Sequence, residues 1–223
     1  MKNIPEAFTF IFKDPNWIAK IAIGAFFVFL SIFLIGIPVI YGYSITLLQR
    51  VQRGEQKPLP EWKDVGILFI LGLKYLVILF IFYLPVTIIS LPMIILMFIL
   101  LTQGLAPLAF IEGSMIVMSL ISIIVLYSLF ISLLTPIIAV KFAERERIGD
   151  GLQISKILRS FKFIWQDVLI IVALCYACDI LASLGLIVLI FGVFFTSFYV
   201  TLVRLHLYGQ ISRDIQELSV MPI

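Results

Sequence analysis

Charge is scarce in this chain: Asp, Glu, Lys and Arg make up 13% of its 223 residues, beside a single histidine and two cysteines. One histidine cannot supply the several ligands of a zinc or iron centre. Cys175 and Cys178 lie inside an apolar run and say nothing about redox compartment. No Gly-rich nucleotide loop, paired catalytic carboxylates, nucleophile motif or metal-binding helix is present, so no metal, no cofactor and no enzymatic activity are expected. The first sixteen residues contain Glu6 and Asp14 and no A-x-A-like cleavage site, which predicts a retained anchor rather than a signal peptide.

What the chain has instead is apolar surface, 62% of its residues with a mean hydropathy of +1.18. About 20 apolar residues fill a hydrocarbon layer ~30 Å thick, and the runs here are too many and too long for a soluble fold. They do not alternate in polarity as barrel strands do, so helices must satisfy the backbone. The fold class predicted is all-α: one integral membrane domain, a polytopic helical membrane protein over residues 1–223. The net charge of +3 is modest. Placed at the ends of apolar runs, it predicts membrane lipids with anionic headgroups as partners, not nucleic acid.

The sixteen Lys and Arg residues can all be placed on one side of a membrane, which fixes a threading. Gly36-Ile37-Pro38 marks a tight turn within the run 18–49, because Gly suits a position just past a helix end and Pro the start of the next. A hairpin there returns Arg50, Arg53, Lys57 and Lys63 to the side of Lys13 and Lys20. Continued along the chain, this predicts six transmembrane helices, near 17–35, 38–51, 74–100, 115–140, 168–184 and 187–208, as three hairpins pointing the same way. Interfacial amphipathic helices are predicted near 3–13, 61–73 and 148–164, with both termini cytoplasmic. The far face holds little charge beyond Glu112. A weak internal repeat, Phe8 to Asp14 against Phe161 to Asp167, ends each time in an Asp able to cap the following helix.

Several separated signatures occur in order: Phe12-Lys-Asp-Pro-Asn-Trp17, Gly42-Tyr43, Leu59-Pro-Glu-Trp62, Phe195-Thr-Ser-Phe-Tyr199 and His206-Leu-Tyr-Gly-Gln210. Together they resemble the uncharacterised polytopic membrane family catalogued as domain of unknown function 4013, found in archaea and bacteria. The resemblance spans nearly the whole chain and implies an architecture without catalytic residues. One departure is Val65–Leu71, apolar where the family is acidic and polar.

Asp179 is the one acid deep in a predicted span. It is a candidate for a proton or cation path, or a protonated carboxyl bonded to a neighbouring helix. Cys175 and Cys178 share its face and read as small residues at a helix contact. Arg204 and Tyr208, one turn apart near His206, are candidate lipid-headgroup contacts or an interfacial anchoring belt. Lys156, Arg159 and Lys162, on an amphipathic stretch, admit the same two readings. The function expected is a non-catalytic accessory, scaffolding or lipid-organising component of a prokaryotic cytoplasmic membrane, within a larger membrane complex. The alternatives are a small transporter using Asp179 and an intramembrane enzyme.

Overall fold

An apolar chain without water must close its backbone hydrogen bonds inside each segment, and the computed structural model does this with helices. It describes residues 4–55, 57–102, 107–183 and 192–220, among which there is no strand. α1 (Ile4–Thr9) runs into a 3-10 turn (Phe10–Lys13), then α2 (Trp17–Leu30), a 3-10 turn (Ser31–Phe33) and α3 (Gly36–Gln52). α4 (Val65–Thr102), α5 (Pro107–Arg145), the single turn α6 (Ile148–Gly151), α7 (Ile154–Ser183) and α8 (Gly192–Val220) follow.

α1 buries Ala7, and the 3-10 turn after it buries Phe10 and Ile11 while Lys13 stays outside. The chain then bends by 104° into α2. At the end of α2 the turn falls on Leu34, which adopts a left-handed φ of 65°, and α3 packs back on α2. α3 and α4 touch backbone to backbone. A Cβ on Gly42 would stand 1.8 Å from the Leu68 carbonyl oxygen, and one on Gly72 1.7 Å from that of Pro38. Small residues permit this approach where lipid supplies no hydrophobic drive between helices.

The six predicted crossings are not what forms. Three described helices are long and apolar enough to cross a membrane: Val65–Thr102, Ile111–Arg145 and Ile154–Ile180. A fourth is reached if the bent pair Ile4–Lys13 and Trp17–Phe33 counts as one broken span. The reason is length and polarity. The 14 residues of α2 and 17 of α3 reach only ~21 and ~26 Å at 1.5 Å per residue, short of a ~30 Å core. α8 is long enough, but Arg204, His206 and Gln210 interrupt it. The three same-facing hairpins fall with that count.

Boundaries shift as well. No interfacial helix covers 61–73: Glu61 to Asp64 are irregular and Val65 opens α4, since Val65–Leu71 offers no polar face. The stretch read as a third interfacial helix is α6 plus the first turns of α7, which breaks at Ile164 (φ −116°, ψ 20°) and continues. Asp167 therefore lies inside α7, three residues past that break, whereas Asp14 stands at the elbow before α2. Glu112 and Gly113 stand within α5, not in a loop. The start of the span predicted at 187–208, the turn at Gly185, Gly104 and residue 3 lie outside the described residues.

Internal packing divides the chain into two compact units, Met1–Ile78 with Leu134–Ile223, and Leu79–Leu133. In the second, two helical segments share one narrow seam containing Phe82, Leu100, Val117 and Ile131, with the Tyr127 hydroxyl donating to the Phe82 carbonyl at 2.8 Å. Their other faces expose Ile, Leu, Met and Phe. The first unit holds the larger core, around Tyr43, Phe142, Phe198, Leu48 and Ile157, and every candidate residue.

Candidate functional site

Asp179 does not stand alone. α7 and α8 pack along their lengths, and this brings Arg204 to it: guanidinium Nη2 lies 2.6 Å from both carboxylate oxygens. The pair is partly open, its side chains 31% (Arg204) and 48% (Asp179) exposed. The geometry is that of a polar contact between two helices, a guanidinium against a carboxylate. Cys175 lies against the same guanidinium, and Cys178 packs with Val200 beside Phe8 and Tyr199. Both thiols are free and buried, at a helix contact.

Arg204 is thus matched internally, while Tyr208 is buried with 5% exposure. His206 is buried too, its ring stacked on Phe10 of the N-terminal segment at 4.3 Å and its Nδ1 3.3 Å from Gln210 Nε2. Tyr199 ties down the same segment by donating to the Phe8 carbonyl at 2.7 Å. Lys156, Arg159 and Lys162 stand apart from all of this, exposed on the first turns of α7.

The second cluster is built from the sequence signatures themselves. Pro58-Leu59-Pro60 cannot continue a helix, so its carbonyls need other donors. The Leu59 carbonyl accepts from the Lys20 ammonium at 3.1 Å and from Arg50 at 3.5 Å. The Pro60 carbonyl accepts from the Tyr43 hydroxyl at 2.8 Å. Lys20 also reaches Asp14 at 2.7 Å, an ion pair with side chains only 12% and 8% exposed, and Asp14 Oδ1 accepts the Asn16 N–H at 2.8 Å. Burial pushes the Asp14 carboxyl up, but the Lys20 ammonium and the Asn16 N–H outweigh it and hold it below the ordinary 3.8.

Above these bonds the Trp62 ring stacks on Tyr43 (4.1 Å) and on Phe27 (5.1 Å), with Phe198 tilted against it at 5.8 Å. Phe12 meets Trp17 edge-on at 5.0 Å and Tyr199 at 6.5 Å. Residues from four signatures, Asp14, Tyr43, Trp62 and Phe198, therefore meet in one knot, with the fifth nearby through His206 and Phe10. Reading the sequence gave no structural role to Lys20 or Arg50. The signal available was the pair of carbonyls stranded between Pro58 and Pro60, with bases on the flanking helices.

Chemically the two clusters direct most of their polar groups to internal partners, although the buried Arg204 Nε has no acceptor among the described residues. Among the described residues no group of three or more His, Cys, Asp or Glu could hold a metal ion. In comparison with known families, the model described as a protein of unknown function (DUF4013) matches residues 25–193. No curated protein and no solved structure matches the chain.

Proposed function

This chain belongs to the DUF4013 family of proteins of unknown function, and from that premise we propose that it is a non-catalytic scaffolding or lipid-organising component of a prokaryotic cytoplasmic membrane. It is a multi-pass membrane protein. The observation that carries the proposal is where its polar residues go. Asp14, Lys20, Tyr43, Trp62, Asp179, Arg204 and His206 each engage another part of the same chain. A conserved transport path gathers several polar groups around a cavity at mid-membrane, whereas these are spent on joining helices. The partners are anionic lipid headgroups and a larger membrane complex, not nucleic acid.

Both termini are assigned to the cytoplasmic side. The support is the positive-inside rule applied to the bases at the ends of the apolar runs, not the crossing count, since the bent pair taken as one span would set Arg50, Arg53, Lys57 and Lys63 on the face opposite the N-terminus.

The test sets this against a transporter using Asp179. Wild type and Asp179→Asn are reconstituted in proteoliposomes and proton-coupled flux is followed with an internal pH dye. The scaffold reading expects no flux difference between them. A flux present in wild type and abolished in Asp179→Asn overturns it.

A further inference from the structure

The first turns of α7 carry two kinds of exposed side chain, and their placement around the helix is ordered. Ile157, Ser160, Ile164 and Val168 form the buried stripe that fixes the helix to the protein. At ~100° per residue, Ile154 and Leu158 fall together beside that stripe, and both are substantially exposed, as is Trp165 just past the break at Ile164. Lys162, Arg159 and Lys156 fan out from there over the remaining outer surface, and all are exposed. Lys13, Lys20, Lys141 and Arg204 are each matched to a carboxylate within 4 Å. Lys156, Arg159 and Lys162 have no such partner among the described residues. The backbone breaks at Ile164, so this segment's direction is set separately from the apolar remainder of the span.

We propose that Ile154 to Trp165 is a lipid-surface anchor whose bases collect anionic phospholipid from the adjoining leaflet. An apolar edge beside a basic outer face is the arrangement that lies in a headgroup layer: Ile154, Leu158 and Trp165 enter the acyl boundary and the three cations meet phosphates. The occupant is a bilayer surface, because the apolar and cationic strips lie side by side along one helix rather than around a pocket. Lys and Arg stems also reach several ångströms to the headgroup level. The inference rests on the lipid-organising part of the function proposed above.

The test uses full-length protein in proteoliposomes of phosphatidylcholine containing a trace of spin-labelled phosphatidylglycerol or spin-labelled phosphatidylcholine. The motionally restricted fraction in the EPR spectrum gives the preference for the anionic lipid. Wild type prefers phosphatidylglycerol, and the triple variant K156Q/R159Q/K162Q loses at least threefold of that preference, since each base near an anionic surface is worth about fivefold. Salt near 1 M, with a Debye length of ~3 Å, brings wild type to the variant's level. An unchanged preference in the triple variant, or equal restriction of both lipids by wild type, overturns the proposal. Should the triple variant fail to fold, K162Q and R159Q singly must each lower the preference; no effect in either also overturns it. A nitroxide at Leu158 gives an independent reading, with oxygen reaching it in preference to a water-soluble nickel chelate; the reverse order sinks the anchor. Flux from Asp179 does not enter these readouts, so the anchor and the scaffold reading fail separately.

Discussion

Trp62 and Lys20 hold each other from both ends. The Trp62 indole N–H donates to the Lys20 carbonyl at 2.9 Å, while the Lys20 ammonium donates to the Leu59 carbonyl three residues before Trp62. The loop between α3 and α4 is thereby fastened to the first turn of α2. Trp62→Phe keeps a ring against Tyr43 and loses the hydrogen bond, a cost of about 1 kcal/mol. Trp62→Ala loses the ring as well, about 3–5 kcal/mol. Thermal unfolding of the detergent-purified variants should rank them in that order.

Three glycines make an internal comparison. Gly42→Ala and Gly72→Ala drive a methyl into backbone carbonyls that cannot move aside, whereas a Cβ at Gly66 meets nothing within 4 Å. The first two are expected to lose at least the 1–3 kcal/mol of ordinary overpacking, and Gly66→Ala to equal or exceed wild type in the helix it begins. Yield of monodisperse protein on size-exclusion chromatography checks all three.

Asp14 gives the acid response a sign. Its folded carboxyl is held below the ordinary 3.8 by Lys20 and Asn16 despite burial, so on acidification the unfolded chain takes up the proton first. The stabilisation is complete above pH ~4 and drains away as pH falls through the lower folded value. Asp14→Asn should be less stable at neutral pH, having left a buried ammonium without its carboxylate. It should also lose the Asp14 share of the slope below pH ~4. Unfolding midpoints from pH 7 down to pH 2 for both proteins provide the measurement.

The sidedness of the ends depends on the bent pair. If Ile4–Lys13 with Trp17–Phe33 completes one crossing, cysteines introduced at Lys2 and Arg213 are labelled by an impermeant maleimide from the same side of intact vesicles. Labelling from opposite sides would leave three crossings and place the termini apart.

Much of this architecture could be read from the residues. Continuous apolar runs gave the helical membrane class, and Gly36-Ile37-Pro38 marked a real reversal, displaced to Leu34. The count failed where hydropathy was divorced from length: α2 and α3 are apolar, yet neither reaches across a bilayer alone. The predicted span starts at Lys74 because a lysine at mid-membrane is costly, yet Val65–Leu71 before it has already joined the helix. Asp179 was visible as costly, but its partner is 25 residues away on another helix, and such pairings are set by packing rather than by local pattern. Likewise the ordered signatures were visible, while their meeting around Trp62 required the fold.

That the polar residues of this protein join helices is tested most directly at Asp179 and Arg204. A double-mutant cycle of Asp179→Asn, Arg204→Gln and the pair, read by thermal unfolding in lipid nanodiscs, measures their coupling. We expect each single change to lower the unfolding temperature, the double change to be no worse than the poorer single, and a favourable coupling of about 0.5–3 kcal/mol. Strictly additive effects, with no coupling, would contradict the claim.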